Sequence, residues 1–238
     1  MRLATRAAPA SRVAVPAYFD PCCCAADWAQ LCAASATHPG RVDLVILNPD
    51  SGVGRDTDDG HRTVCRQMRR AGISVAGYIS TGYATRRASE VLAEATAYRN
   101  WYGLTAIFID EVTEDRSGWP YYRELVTALR SSGIRQVVIN PGTPPDPCYV
   151  ELADLVVTFE GPWSEYRGWR PPKWSRQWPS SRVCHLVFDT PVSVLGRAVD
   201  LTRTRGAGYV YVTDRTLPNP WEALPTYWPA LVGVASRV

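Results

Sequence analysis

Short, largely apolar runs alternate with stretches of helical period along the whole chain. The runs are Val13 to Phe19, Leu44 to Leu47, Ile73 to Ile79, Ala106 to Ile109, Val137 to Ile139, Leu155 to Phe159, Val183 to Phe188 and Tyr209 to Val212. They have no consistent polar face, as expected of strands covered on both sides in a parallel sheet. Between them the pattern predicts helices over Ala25 to Ala36, from a cap at Asp56 or Thr57 to about Ala71, and over Ala88 to Tyr102. A fourth helix starts near Pro120, where proline is tolerated, and carries Tyr122, Leu125, Val126 and Leu129 on one face. Gly72, Gly103 and Gly133 stand where helices end. A short helical piece follows at Tyr149 to Ala153. Val194, Leu195, Ala198, Val199 and Leu201 mark another helix, and Trp221 to Leu231 the closing one. The segment from Pro162 to Ser181, rich in tryptophan and proline, reads as irregular.

Eight strand–helix units with right-handed crossovers close most naturally into an α/β fold of the (β/α)8 TIM barrel class. An open doubly wound sheet is the alternative, but no GxGxxG or GxxxxGK follows the first strand. With no low-complexity tract or linker, one barrel domain over residues 1–238 is expected, with residues 1–12 as a flexible N-terminal extension.

Composition narrows the picture. The 46% hydrophobic and 21% charged content is that of a globular protein with a real core. A net charge of +3 with scattered arginines, and Lys173 as the single lysine, gives no basic stripe for nucleic acid. No run approaches the roughly 18 apolar residues of a membrane span, and Met1 to Arg12 lacks the apolar stretch of a secretory signal. A soluble, cytoplasmic monomer is the expectation. Seven cysteines cannot all pair. The Cys22-Cys23-Cys24 triplet lacks the partners of a zinc site and reads as buried thiols near the end of the first strand. Pairing of Cys22 or Cys24 with Cys32 is left open. His38, His61 and His185 lack ligand spacing and read as structural, and no metal or cofactor is expected.

The chemistry concentrates at strand ends. The run Ile107-Phe108-Ile109 stops in Asp110-Glu111, and Leu155-Val156-Val157-Thr158-Phe159 stops in Glu160. An ionised group at the end of a buried strand must be paired or solvated, and the C-terminal ends of barrel strands are where catalytic groups sit. These strands stand one apart around the rim, so Asp110 and Glu160 can face one cleft. Tyr18, Asp20, Asn48, Tyr78, Asn140, Asp189 and Asp214 also stand at strand ends. They could bind sugar hydroxyls, with turn chemistry as the competing reading for the Asn and Asp residues. Trp163, Trp169, Trp174 and Trp178 crowd the loop after the sixth strand. They either wall a glycan groove, Trp163 foremost, or clamp the loop to the barrel.

Six stretches together resemble the spherulin-4 (spherulation-specific) family. They are Val15-Pro16-Ala17-Tyr18-Phe19, Leu47-Asn48-Pro49-Asp50-Ser51-Gly52, Gly77-Tyr78-Ile79-Ser80-Thr81-Gly82-Tyr83, Phe108-Ile109-Asp110-Glu111, Ile139-Asn140-Pro141-Gly142 and Thr158-Phe159-Glu160. The resemblance implies a (β/α)8 glycoside hydrolase, endo-acting and retaining, without a metal. Its substrate would be α-1,4-linked N-acetylgalactosamine or galactosamine in galactosaminogalactan. The catalytic acids of the family fall on Asp110, Glu111 and Glu160. Family members are often secreted or membrane-tethered.

Glycoside hydrolysis needs one ionised and one protonated carboxyl group. Aspartate's short side chain suits a rigidly held nucleophile, so Asp110 takes that role. The longer Glu160 suits an acid/base that must reach the glycosidic oxygen and then a water. Strand alternation turns Asp110 and Glu111 to opposite faces. Both serve one site only if the backbone is already turning there; otherwise Glu111 stands behind the pair or is itself the nucleophile. For an α-linked amino sugar the acetamido group lies on the leaving-group side, which disfavours substrate-assisted attack. The competing functions are a non-catalytic glycan-binding barrel and a barrel enzyme of another class, such as a lyase. The latter would need a metal or phosphate signature that the chain does not show.

Overall fold

In the computed structural model, residues 10–237 are described. Eight parallel strands close into a barrel in sequence order. They are β1 (Arg12–Ala17), β2 (Val42–Leu47), β3 (Ser74–Ser80), β4 (Ala106–Asp110), β5 (Gln136–Ile139), β6 (Leu155–Pro162), β7 (Val183–Phe188) and β8 (Tyr209–Val212). Around them lie α1 (Ala25–Thr37), α2 (Asp59–Arg70), α3 (Ala88–Tyr102), α4 (Trp119–Ser131), α5 (Cys148–Leu152), α6 (Trp163–Tyr166), α7 (Leu195–Thr204) and α8 (Trp228–Ala235). The chain is a (β/α)8 barrel. Among the described residues no helix is long and apolar enough to cross a membrane.

The strands form where consecutive apolar residues can be buried on both faces. Val13, Val15, Leu44, Val45, Ile107, Ile109 and Val137 are all fully buried. Helix ends follow local chemistry. Gly103 ends α3 at φ +68°, a conformation that costs glycine little. The cap of α2 is Asp58 rather than Asp56 or Thr57. Its carboxylate accepts from the His61 backbone N–H at 2.7 Å and pairs with the His61 ring nitrogen at 2.8 Å.

Three expectations are corrected. The closing helix begins at Trp228, not Trp221. Pro225 and Pro229 prevent a continuous helix from Trp221 onwards, and Trp221 sits in the loop after β8. The tryptophan-rich segment is not wholly irregular, because it holds α6 and two 3-10 turns at Lys173–Gln177 and Ser180–Arg182. The thiols of Cys22 and Cys23 are exposed rather than buried, and all seven cysteines are free. Of the expected N-terminal extension, residues 1–9 lie outside the described residues. Ser11 is buried and donates its N–H to the Ala235 carbonyl at 3.1 Å, and Arg12 already belongs to β1.

The barrel closes between β1 and β8 through only two residue pairs, Arg12 with Tyr209 and Val13 with Val210. At this seam the Arg12 guanidinium donates to the Tyr209 hydroxyl at 3.0 Å and lies 3.6 Å from Asp43. Arg12 enters β1 and Ala235 leaves α8 at the face opposite the strand C-terminal ends. The loops that could form a site therefore occupy the other face alone.

Candidate active site

The β3–β4–β5 ladder brings the acids together. Ser80 pairs with Asp110, and Ile109 pairs with Ile139, so Asn140 follows directly beside the end of β4. Glu160 reaches the same place from β6, where its N–H donates to the Gly142 carbonyl at 2.8 Å. The Asn140 side-chain nitrogen donates to Asp110 Oδ1 at 2.8 Å and to Glu160 Oε2 at 2.7 Å. Its amide oxygen accepts from the Gly142 N–H at 2.9 Å. That third bond fixes which way the amide faces, because a flipped amide would set an oxygen against two carboxylates. One nitrogen therefore spans both acids. Bonds of 2.8 and 2.7 Å to one nitrogen keep these two carboxylate oxygens no more than 5.5 Å apart.

Glu111 joins them through its backbone. It adopts φ +52°, in the left-handed region that a glutamate occupies at a cost of about 1 kcal/mol or more. This turn breaks the strand alternation, so Asp110 and Glu111 line the same cleft. The turn is held by its own carbonyl, which accepts from the Tyr83 N–H at 2.7 Å and from Thr81 Oγ1 at 2.9 Å. The Ser80 hydroxyl donates to the Glu111 carboxylate.

The environment separates the two spanned acids. Burial, with the charge of Asp110 adding to it, pushes the Glu160 carboxyl up to about 7, against hydrogen bonds from Asn140 and Trp221. Asp110 is also raised by burial and by the charge of Glu111, while the Glu111 backbone N–H, Tyr78 and Asn140 hold it down. Near neutral pH the arrangement thus contains a carboxyl that can keep a proton beside one that is supported as an anion.

Two open cavities meet here. The larger, of 860 Å³, is lined by Tyr83, Asp110, Glu111, Asn140, Glu160, Ser164, Glu165, Phe188, Asp189 and Leu217, among others. The second, of 480 Å³, is lined by Tyr18, Asn48, Asp50, Glu160, Phe188, Leu217 and Trp221, among others. They share Glu160, Phe188 and Leu217, so the acid stands in the middle of an extended groove. The linings contain six carboxylates (Asp50, Asp110, Glu111, Glu160, Glu165 and Asp189) and no arginine or lysine. Among the described residues no group of three or more His, Cys, Asp or Glu side chains is arranged to hold a metal ion.

The other expected binding residues divide. Tyr18 and Asn48 line the second cavity, and Asn48 also ties its loop by accepting from the Gly52 N–H at 2.9 Å. Tyr78 stacks edge-on against Tyr18 at 5.4 Å, and its hydroxyl acts on Asp110. Asp189 lines the larger cavity at φ +50°. Three positions are corrected, because they line neither cavity. Asp20 is a turn residue whose carboxylate accepts from the Cys22 N–H at 2.7 Å. Asp214 accepts from the Thr226 N–H at 3.0 Å. Trp163 opens α6 and packs near Tyr166. The neighbouring Trp169 packs on Phe159, Tyr166 and His185, so it clamps the loop to the barrel. His185 is structural: burial pushes it down to about 3, and its nitrogens meet Tyr166 and Thr158. The sequence reading missed Tyr83, Glu165 and Trp221. Two of them carried a signal: Tyr83 closes the stretch Gly77 to Tyr83 that resembles the family, and Trp221 follows a proline in the loop after the last strand.

Comparison with known proteins agrees with this fold. Spherulin-4 of Physarum polycephalum is 30% identical over 216 residues, 85% of this chain. The chain spans 63% of the length of that relative. The crystal structure of Aspergillus clavatus Sph3 in complex with GalNAc superposes with a TM-score of 0.85 at 25% identity, covering 96% of this chain and 98% of that one. The Bacillus cereus spore cortex-lytic enzyme SleL gives a TM-score of 0.57 at 11% identity over 96% of this chain and 75% of its own, a likeness of fold alone. The model of spherulation-specific family 4 matches residues 12–235. The chain belongs to that family.

Proposed function

We propose that the protein is a retaining, endo-acting glycoside hydrolase whose substrate is a polymer of α-1,4-linked N-acetylgalactosamine or galactosamine. The observation that carries this reading is the Asn140 amide spanning Asp110 and Glu160. The limit this sets on their separation is compatible with the roughly 5–5.5 Å of retaining enzymes and lies below the roughly 6.5–9.5 Å that leaves room for an inverting water. Asp110 attacks the anomeric carbon as Glu160 gives its proton to the leaving oxygen. A covalent glycosyl–Asp110 ester results. Glu160, now ionised, takes a proton from water, and the resulting hydroxide releases the sugar and restores Asp110. Glu111 raises the basicity of Asp110 through its adjacent charge. The GalNAc in the Sph3 complex supports the sugar class, and the groove running to both sides of Glu160 supports cleavage within a chain. A lining of six acids with no base disfavours anionic glycans.

Incubation with partly deacetylated galactosaminogalactan is expected to release oligosaccharides, identified by product mass. Asp110→Asn and Glu160→Gln should each lower the rate about 10³-fold. Binding of the polymer without any turnover by the unaltered protein would leave a glycan-binding barrel instead.

A further inference from the structure

Three large apolar side chains are strongly exposed among the described residues: Tyr83 at 59%, Val192 at 64% and Leu217 at 69%. A single exposed apolar residue needs no explanation. Two of these three, however, line the cavity that holds the acids. They come from the loops after β3 and β8, three strands apart around the rim, so they stand on well-separated parts of the wall.

Tyr83 is also held in an unusual way. Gly82, Tyr83 and Ala84 have φ of +53°, +55° and +67° in succession. Glycine enters this region freely, whereas tyrosine and alanine do so only where the surroundings impose it. Here they do. The Tyr83 N–H donates to the Glu111 carbonyl at 2.7 Å, and the Arg86 N–H donates to the Thr81 carbonyl at 3.2 Å. Thr85 Oγ1 donates to the Gly82 carbonyl at 2.6 Å. The Tyr121 hydroxyl donates to the Arg86 carbonyl at 2.9 Å. A strained turn fastened this firmly, carrying an aromatic ring into a cleft, is a device for presenting that ring. Burial, and after it the charges of Glu111 and Asp110, raise its phenol above the usual value.

We propose that Tyr83 is the stacking platform for a sugar bound beside the scissile bond, taking the C–H face of a pyranose. Its hydrogen bond to the Glu111 backbone keeps the platform at a fixed spacing from the reacting carboxylates. The inference rests on the glycosidase reading and names one of its binding residues.

The test uses Tyr83→Asn, because asparagine tolerates a positive φ and removes only the ring. Tyr83→Phe keeps the ring, and thermal unfolding of each variant confirms the fold. The probe is an α-1,4-linked N-acetylgalactosamine hexasaccharide, with affinity measured in the Glu160→Gln background and kinetics in the active protein. Tyr83→Asn should weaken the Kd and raise KM by about tenfold, with kcat within threefold. Tyr83→Phe should stay within threefold of the parent. Unchanged Kd and KM in Tyr83→Asn, or a loss confined to kcat, would overturn the platform and leave the glycosidase reading standing. Failure of the Tyr83-intact proteins to bind or cleave the probe would remove both.

Discussion

Asn140 has two jobs, and one pair of hydrogen bonds does both. It satisfies two carboxylates that burial would otherwise force to protonate, and it holds them a fixed distance apart. Its donated bonds favour both anions, so removing them raises both acids further. In Asn140→Ala both limbs of the pH profile of kcat/KM should therefore move to higher pH. The acidic limb reports ionisation of Asp110 and the basic limb protonation of Glu160. A fall of about 10²-fold at the optimum is expected, measured with the same oligosaccharide assay. The acids themselves could be read in the sequence, because a buried strand rarely ends in an ion. The role of Asp20 and Asp214 could not. A carboxylate that caps a turn and one that faces a sugar have the same letter and the same position after a strand. The exposure of Tyr83 was hidden for another reason, since it depends on three successive positive φ values that no local pattern encodes.

At the scale of elements, the strands were legible because each is apolar on both sides, and β7 and β8 start and stop where the pattern does. Boundaries failed where a long-range contact decided them. The pattern places Trp221 in a helix, yet its ring packs on Tyr211 and Phe188 at the mouth of the barrel. The contact between α3 and β3 carries a sharper constraint. A Cβ at Gly77 would stand 2.5 Å from the ring of Tyr98, which is fully buried. Gly77→Ala must push Tyr98 and α3 away from the sheet, at a cost of about 2 kcal/mol. A drop of about 4–8 °C in the unfolding midpoint is expected by calorimetry. Because α3 directly follows the turn that holds Tyr83, the rate of glycan cleavage should fall as well.

The whole molecule carries the cost of the site. Glu160 binds its proton more tightly folded, at about 7, than as an ordinary carboxyl near 4.5. Below about 4.5 it is protonated in both states and the shift has no effect on stability. As the pH rises from there to 7 the folded state resists losing the proton, and stability falls by on the order of 3 kcal/mol. Glu160→Gln should therefore raise the unfolding midpoint by several degrees at pH 8 and leave it nearly unchanged at pH 4, while lowering turnover about 10³-fold. Equal shifts at both pH values would mean that Glu160 titrates normally. The barrel class itself could be read from eight alternations of run and helix. The pH dependence could not, because it arises from four strands converging on one cavity.

The seam between the first and last strands has a practical consequence. Ser11 and Ala235 are hydrogen-bonded neighbours on the base of the barrel, on the far side from the groove. A surface linker attached on that base would hold the barrel by its floor, with its mouth turned outward. If the proposed glycosidase activity holds, a molecule immobilised in that way would work on a polymer too large to diffuse, provided the polymer touched the surface.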